Sequence, residues 1–256
     1  VISAAAVVSV SVFLFSMFGY AYKPLLDEKV YYYKESDYFT IKLMKYPIKG
    51  GTVEGEALIL DNLIHSINDV DDPTFLDYDY IRIYEELVSW QMRSRASVDA
   101  LFIGGGGYTF PRYMEAAYPG ARIDVVEIDP EVTRVVHEYL GLPRTTSIRS
   151  FNEDGRWFVM NSKDKGRYDF IFGDAFNDLS IPYHLTTREF AQQMKALLKP
   201  DGFLIANLID SVTEGLFLPS YIRTLEDVFG KGNVNLLVLV PELQRLGIAT
   251  CVVVAS

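Results

Sequence analysis

The stretch VDALFIGGGG, residues 98–107, decides the fold of this chain. An apolar run that ends in four consecutive glycines predicts a buried strand followed by a tight turn, and a helix is predicted directly after it over 110–118. Glycines let the backbone of such a turn approach a ligand closely, and a turn that opens a helix can direct its amides at a polar ligand. The unit therefore indicates a binding site, with a tight turn that binds nothing as the alternative.

Strands and helices continue to alternate on the C-terminal side of this unit. Strands alternating with helices predict a mostly parallel, doubly wound sheet. The last two predicted strands, 233–240 and 247–255, follow one another without a helix, so we expect them to pair as an antiparallel hairpin. The strands predicted between the first and the last two are RIDVVEI (122–128), 145–151, YDFIFG (168–173) and GFLIANLI (202–209), and the helices are 130–140, 154–163, 186–198 and 213–229.

The N-terminal side of the unit has a different pattern. Residues 37–48 and 52–60 alternate with period two around the turn signal Gly50-Gly51, which predicts a small antiparallel sheet. An amphipathic helix is predicted over 74–93. We divide the chain into an apolar helix (1–23), a small β domain (30–72) and a larger α/β domain (73–256).

Residues 1–22 contain no charged side chain. About 20 apolar residues span a bilayer as a helix, and the aromatic residues Phe18, Tyr20 and Tyr22 lie where an interfacial belt would be. We interpret this segment as a membrane anchor or the last span of a larger membrane protein, with a signal peptide or a buried apolar helix as alternatives. The remainder is then expected to be a cytoplasmic catalytic domain, which a membrane anchor would hold at the inner or plasma membrane.

The overall composition is that of a globular protein. Of 256 residues, 49% are hydrophobic and 23% are charged, which excludes wholesale disorder. The net charge of −10 and a pI near 4.8 argue against a nucleic-acid partner, which would need a clustered basic face. Three histidines and the single Cys251 argue against structural zinc, so we predict no metal.

Carboxylates follow three of the predicted strands. Ligands of open α/β sheets bind beyond the C-terminal strand ends. Glu127 lies 23 positions after Gly104, where a carboxylate suits the hydroxyls of a ribose. Asp154 can accept from an exocyclic amine or cap a helix, and Asp174 can accept a proton, hold an amine or lie in a solvated loop.

The glycine turn and these carboxylates resemble the spermidine synthase (polyamine aminopropyltransferase) family. The resemblance covers about residues 35 to 255 and is carried by LFIGGGG, VEIDPEV, Asp154-Gly155, the strand ending in Asp174, and LILDNLIHS (58–66). It implies an α/β fold: a class I methyltransferase-like Rossmann fold with a small N-terminal antiparallel β domain. It also implies a homodimer, and the apolar N-terminal helix is similar to the membrane-fused branch of the family.

The resemblance also implies roles for individual residues. The co-substrate would be decarboxylated S-adenosylmethionine or S-adenosylmethionine, with a small amine as acceptor. Glu127 would hold the ribose and Asp154 the adenine amine, while Asp174 would position and deprotonate the attacking amine as the catalytic carboxylate. The full set implied for nucleoside binding is Gly104, Gly105, Gly106, Glu127, Asp154 and Gly155.

The sequence departs from the family pattern at positions where the resemblance implies contact with the amine substrate or the arm of the donor. Gly107 replaces a family aspartate that suits a bare aminopropyl arm and repels the carboxylate of S-adenosylmethionine. The family triplet Tyr-His-Glu aligns with Tyr84-Glu85-Glu86, and His65 occupies the region of a family glutamine. The segment 175–185 is long enough to be a lid. His65, Tyr84, Asp178 and Tyr183 are our candidates for contact with the amine.

Three functions follow from these observations. The first is aminopropyl transfer to a polyamine such as putrescine, which the overall resemblance favours. The second is methyl transfer from S-adenosylmethionine, which Gly107 favours. The third is a non-catalytic nucleoside-binding module of a membrane protein, which the apolar N-terminus favours.

Overall fold

The computed structural model describes residues 29–93, 95–175, 182–211, 214–238 and 248–256. The apolar helix predicted over 1–22 and the candidate residue Asp178 lie outside these ranges. Within them, no helix combines the length and the apolar character that crossing a membrane requires.

Four antiparallel strands form a small N-terminal sheet in the order β1-β2-β3-β4. The chain turns between β2 and β3 at Gly50 and Gly51, whose φ angles of 69° and 82° lie in the region that glycine adopts without steric cost. The two predicted strands are present, but β1 and β4 were missed because neither VYYYKE nor LIHSIN alternates with period two. The strands are β1 (Val30–Glu35), β2 (Thr40–Ile48), β3 (Val53–Leu60) and β4 (Leu63–Asn68).

A seven-stranded sheet with flanking helices forms the rest of the described chain. Its elements are α1 (Asp79–Met92), β5 (Asp99–Ile103), α2 (Thr109–Ala117), β6 (Arg122–Val126), α3 (Pro130–Tyr139), β7 (Arg149–Phe151), α4 (Gly155–Asn161), β8 (Tyr168–Gly173), α5 (Arg188–Leu197), β9 (Leu198–Ser211), α6 (Phe217–Phe229), β10 (Val234–Val238) and β11 (Ile248–Ala255).

The order of this sheet is β10-β11-β9-β8-β5-β6-β7. The neighbouring strands from β7 through β6, β5 and β8 to β9 pair in parallel, whereas β11 runs antiparallel to both β9 and β10. The predicted α/β Rossmann-like fold and the pairing of the last two strands are confirmed. The strand order reverses between β5 and β8, and ligands of such sheets bind in the crevice beyond this point.

Aromatic packing places α1 against the sheet. The ring of Phe102 on β5 stacks on that of Phe172 on β8, with centroids 4.5 Å apart, and Tyr84 of α1 packs 5.0 Å from Phe172. All three side chains are buried. Burying rings of this size is a large apolar contribution to stability, so α1 is held firmly over the strand ends that bear the candidate site.

The small sheet is bonded directly to the glycine turn of the larger one. The Asn68 amide Nδ2 donates to the Gly107 carbonyl at 2.8 Å, and the Thr109 hydroxyl donates to Asn68 Oδ1 at 2.6 Å. Ser36 donates to Asp129, which also caps α3 by accepting from the Glu131 amide. The end of β4 therefore forms a wall of the crevice above β5 and β8.

Candidate active site

The glycine turn brings the chain against the end of β8. Gly104 has a φ of 96°, and a Cβ atom at this position would lie 2.5 Å from the Asp174 carbonyl oxygen. The Gly104 amide donates to the Val126 carbonyl at 2.9 Å. Only glycine combines this backbone conformation with this close approach, so the turn and Asp174 are held in contact.

Glu127 is buried beneath this turn. Its Oε2 accepts from the amides of Gly105 at 2.8 Å and Gly106 at 3.2 Å, and its Oε1 accepts from the Asp129 amide at 3.0 Å. Burial raises the pKa of Glu127, while the three amides act in the opposite direction. A carboxylate has about four lone-pair sites, so acceptor capacity remains for a ligand hydroxyl.

Asp154 is a helix cap and also faces the crevice. Its Oδ1 accepts from the Trp157 amide at 2.8 Å, which was the alternative interpretation of this residue. Its Oδ2 lies 3.0 Å from His184 Nε2, and Arg156 donates to the His184 carbonyl. Sequence reasoning did not select His184; its only signal was its position at the end of the predicted lid.

Asp174 is held by two side chains from distant elements. Its Oδ1 accepts from Asn207 Nδ2 of β9 at 2.9 Å, and its Oδ2 accepts from the Tyr80 hydroxyl of α1 at 3.3 Å. Burial raises the pKa of Asp174 to about 6, although both hydrogen bonds favour the ionised form. The carboxylate is therefore poised to exchange a proton near neutral pH.

Sequence reasoning missed both partners of Asp174. Asn207 is the one amide within the apolar strand GFLIANLI, and a polar residue in such a strand is the signal that marks it. Tyr80 lies one helical turn before Tyr84, so the two rings share a face of α1.

Two cavities meet at Asp174. The glutamate-side cavity is lined by Glu127, Asp154, Gly155 and His184 among others. The tyrosine-side cavity is lined by Tyr78, Tyr80, Tyr84 and Phe110 among others. The residues common to both walls are His65, Gly104, Gly106 and Asp174. A reactive atom in either cavity can thus reach the same carboxylate.

The predicted amine-contact residues separate into three groups. His65 and Tyr84 line the tyrosine-side cavity, whereas Asp178 lies outside the described residues. Tyr183 is 84% exposed and lines neither cavity, so its contact with the amine stays a prediction. The short 3-10 turn Tyr183–Leu185 buries Leu185 and leaves the tyrosine in solvent.

Gly107 is enclosed by the small sheet. A Cβ atom there would collide with the Ser66 hydroxyl and lie 2.5 Å from Ser66 Cβ. The Ser66 hydroxyl is buried without a hydrogen-bond partner among the described residues. An uncharged surface therefore occupies the place where the family pattern has an aspartate.

Comparison with known proteins finds one family over most of the chain. Residues 84–254 match the spermine/spermidine synthase domain. A polyamine aminopropyltransferase of Vibrio vulnificus is 41% identical over 108 residues, which are 42% of this chain and 36% of that protein. An N-terminal histidine N-methyltransferase of Emericella nidulans is 33% identical over 141 residues, 54% of this chain and 24% of that protein. The matched segment thus spans about a third or less of the length of these curated relatives.

The fold is also found in solved structures. The crystal structure of a probable spermidine synthase from Corynebacterium glutamicum superposes with a TM-score of 0.78 at 23% sequence identity. The superposition covers 88% of this chain and 79% of that one. At 23% sequence identity this similarity shows a shared fold.

Proposed function

The chain belongs to the spermine/spermidine synthase domain family, and we propose that it transfers an aminopropyl group from decarboxylated S-adenosylmethionine to a small amine. The observation that carries the proposal is the position of Asp174. Its carboxylate lies where the two cavities meet, is held by Asn207 and Tyr80, and has its pKa raised by burial to about 6.

The nucleoside occupies the glutamate-side cavity. Glu127 retains acceptor capacity for a ribose hydroxyl, and the carboxylate of Asp154 faces the same space for the adenine amine. The turn Gly104–Gly107 allows close approach of the aminopropyl arm, because Gly104 and Gly106 line both cavities. This arrangement directs the arm toward Asp174.

The amine enters from the tyrosine-side cavity. Near neutral pH Asp174 is ionised, so it can take a proton from the incoming ammonium and leave a neutral nucleophile. The nitrogen lone pair then forms a bond to the carbon beside the sulfonium. The carbon–sulfur bond breaks with its electron pair going to sulfur, and methylthioadenosine leaves. Positioning supplies much of the acceleration, because the cationic sulfur is already a good leaving group.

Purified protein with decarboxylated S-adenosylmethionine and an amine tests the proposal through the release of methylthioadenosine. Asp174→Asn should abolish turnover and still bind the nucleoside. Asp227→Asn, at an exposed carboxylate on α6, is the matched control and should keep full activity. Absence of product with every amine tried would refute aminopropyl transfer.

Methyl transfer from S-adenosylmethionine is the second candidate. It is favoured by the uncharged contact between Gly107 and Ser66, which removes a repulsion against the carboxylate of that donor. The similarity to the Emericella nidulans methyltransferase points the same way. Calorimetry with the two donors separates the candidates, since clearly tighter binding of the decarboxylated donor counts against methyl transfer.

The remaining expectations are proposals that rest on the resemblance. They are a homodimer, which light scattering tests, and attachment to a membrane through residues 1–22, which fractionation of cells tests. If the chain is instead a non-catalytic nucleoside-binding module, the Asp174→Asn variant should keep its function in cells.

A further inference from the structure

The strand ends that bear the site lie in a row along the crevice. In the order β8-β5-β6-β7, the residues that follow successive strands are Asp174, Gly104, Glu127 and Asp154. Neighbouring strands are about 5 Å apart. A nucleoside whose reacting carbon lies at Asp174 and whose ribose lies at Glu127 therefore brings its base to Asp154. That end of the glutamate-side cavity is also lined by His184.

His184 contacts Asp154 directly. The His184 Nε2 atom lies 3.0 Å from Asp154 Oδ2. An ionised carboxylate only accepts hydrogen bonds, so this contact places a proton on Nε2. The other oxygen, Oδ1, accepts from the Trp157 amide at 2.8 Å. Both oxygens of Asp154 are thus held, which fixes the orientation of the carboxylate in the wall of the cavity.

The backbone that carries His184 is fixed by separate contacts. Arg156 of α4 donates to the His184 carbonyl and, at 2.9 Å, to the Thr187 hydroxyl. The same hydroxyl caps α5, and the side chain of Leu185 is buried in the core. A turn that is bonded to two helices therefore presents the imidazole to Asp154.

The contact with His184 leaves acceptor capacity on Asp154. A carboxylate oxygen has about two lone-pair sites, so Oδ2 can accept from His184 and from one further donor. The exocyclic amine of adenine supplies such a donor. A base with a carbonyl oxygen at the same place would set one acceptor against another and leave both without a hydrogen bond. The orientation of Oδ2 thus decides how well the site distinguishes the two bases.

His65 also lines the glutamate-side cavity but belongs to a different part of the crevice. It lines the tyrosine-side cavity as well, together with Asp174. Asp154 and His184 line the glutamate-side cavity and not the tyrosine-side one. The pair Asp154–His184 therefore concerns the base of the nucleoside, whereas His65 is placed toward the amine.

We propose that His184 is a positioning residue for the nucleobase, which orients Asp154 to accept from an exocyclic amine and to discriminate against a 6-oxo base. The inference rests on the proposed binding of the nucleoside in the glutamate-side cavity and adds a residue to that site. His184 acts through Asp154, so it affects the choice of base.

Calorimetry with methylthioadenosine and methylthioinosine tests this inference, because a carbonyl oxygen replaces the exocyclic amine in the second nucleoside. The parent should bind methylthioadenosine more tightly, and His184→Ala should lower the ratio of the two affinities about tenfold. His184→Gln can donate to Asp154 from its amide and should restore most of the ratio. His137→Ala, at a histidine of α3 outside both cavities, is the matched control and should leave the ratio unchanged.

The contrary outcomes separate this inference from nucleoside binding itself. Equal binding of the two nucleosides by the parent, or an unchanged ratio in His184→Ala, would overturn the inference and leave nucleoside binding intact. An equal loss of affinity for both nucleosides, without rescue in His184→Gln, would show a merely structural role and overturn it too. If the parent binds neither nucleoside, the proposed nucleoside site is also wrong.

A double-mutant cycle tests whether His184 acts through Asp154. Asp154→Ser removes the carboxylate, while serine can still cap α4. His184→Ala should weaken binding of methylthioadenosine about tenfold in the parent and less than about twofold in the Asp154→Ser background. An equal loss in both backgrounds would show that His184 acts independently of Asp154 and would overturn its positioning role.

Discussion

Replacing Asp174 with asparagine should stabilise the protein while abolishing its activity. The carboxylate is ionised near neutral pH although burial raises its pKa to about 6 from the ordinary value of 3.8. Asparagine has nearly the same shape. Its oxygen can accept from Asn207 Nδ2, and its amide can donate to the Tyr80 oxygen, so the substitution removes the partly buried charge and keeps both contacts.

The magnitude follows from the two pKa values. Between about pH 4 and pH 6 the folded chain binds more protons than the unfolded chain. The contribution of Asp174 to the free energy of unfolding therefore falls as the pH rises. At 1.36 kcal/mol per pKa unit, the ionised carboxylate costs about 3 kcal/mol at pH 8. At pH 4.5 most of the folded carboxyls are protonated, and the cost is about 1 kcal/mol.

Urea denaturation at both pH values measures this difference. Asp174→Asn should raise the free energy of unfolding by up to about 3 kcal/mol at pH 8 and by about 1 kcal/mol at pH 4.5. The control, Asp227→Asn at an exposed site on α6, should change it little at either pH. A loss of stability at pH 8, or an equal gain at both pH values, would refute the assignment of Asp174 as a partly buried carboxylate whose ionisation lowers the free energy of unfolding.

Four further substitutions probe the surroundings of this carboxylate. Because Asp174 must be ionised to take a proton, kcat/KM should fall as the pH drops through about 6. Asn207→Leu removes a hydrogen bond to the ionised form, so in this variant the fall in kcat/KM should occur about one to two pH units higher. Gly107→Asp should destabilise the fold by about 1–3 kcal/mol in thermal denaturation, and Ser66→Gly should relieve this loss by clearing the space. In calorimetry, Glu127→Gln should weaken nucleoside binding about tenfold or more, because a neutral amide cannot accept three backbone bonds.

Each of these results has a contrary outcome. If kcat/KM of the Asn207→Leu variant falls at the same pH as that of the parent, a group other than Asp174 controls the loss of activity at low pH. A Gly107→Asp variant as stable as the parent would show that β4 moves aside freely. For nucleoside binding, Glu226→Gln on α6 is the control, and equal affinity in the two glutamine variants would exclude Glu127 from the site.

Much of the architecture was predictable from local pattern. The apolar runs ending at Gly104, Glu127 and Asp174 alternate with helices, and such alternation leaves few arrangements other than a parallel sheet. The carboxyl ends of parallel strands share one edge, which is why three residues far apart in sequence could be expected together. Strands β1 and β4 were missed, because their residues do not alternate and pairing with β2 and β3 decides their conformation.

The sequence by itself determined the sheet, the glycine turn and the carboxylates at its edge, since these depend on periodicity and on residues adjacent in the chain. Only the tertiary structure decided what surrounds them. The bond from Tyr80 to Asp174 joins residues 94 positions apart, and Asn207 reaches the same carboxylate from 33 positions away. Ser66 closes against Gly107 from another sheet. Such contacts arise from the packing of α1, β4 and β9 over one crevice, and no local pattern encodes the distance between elements that fold together from separate parts of the chain.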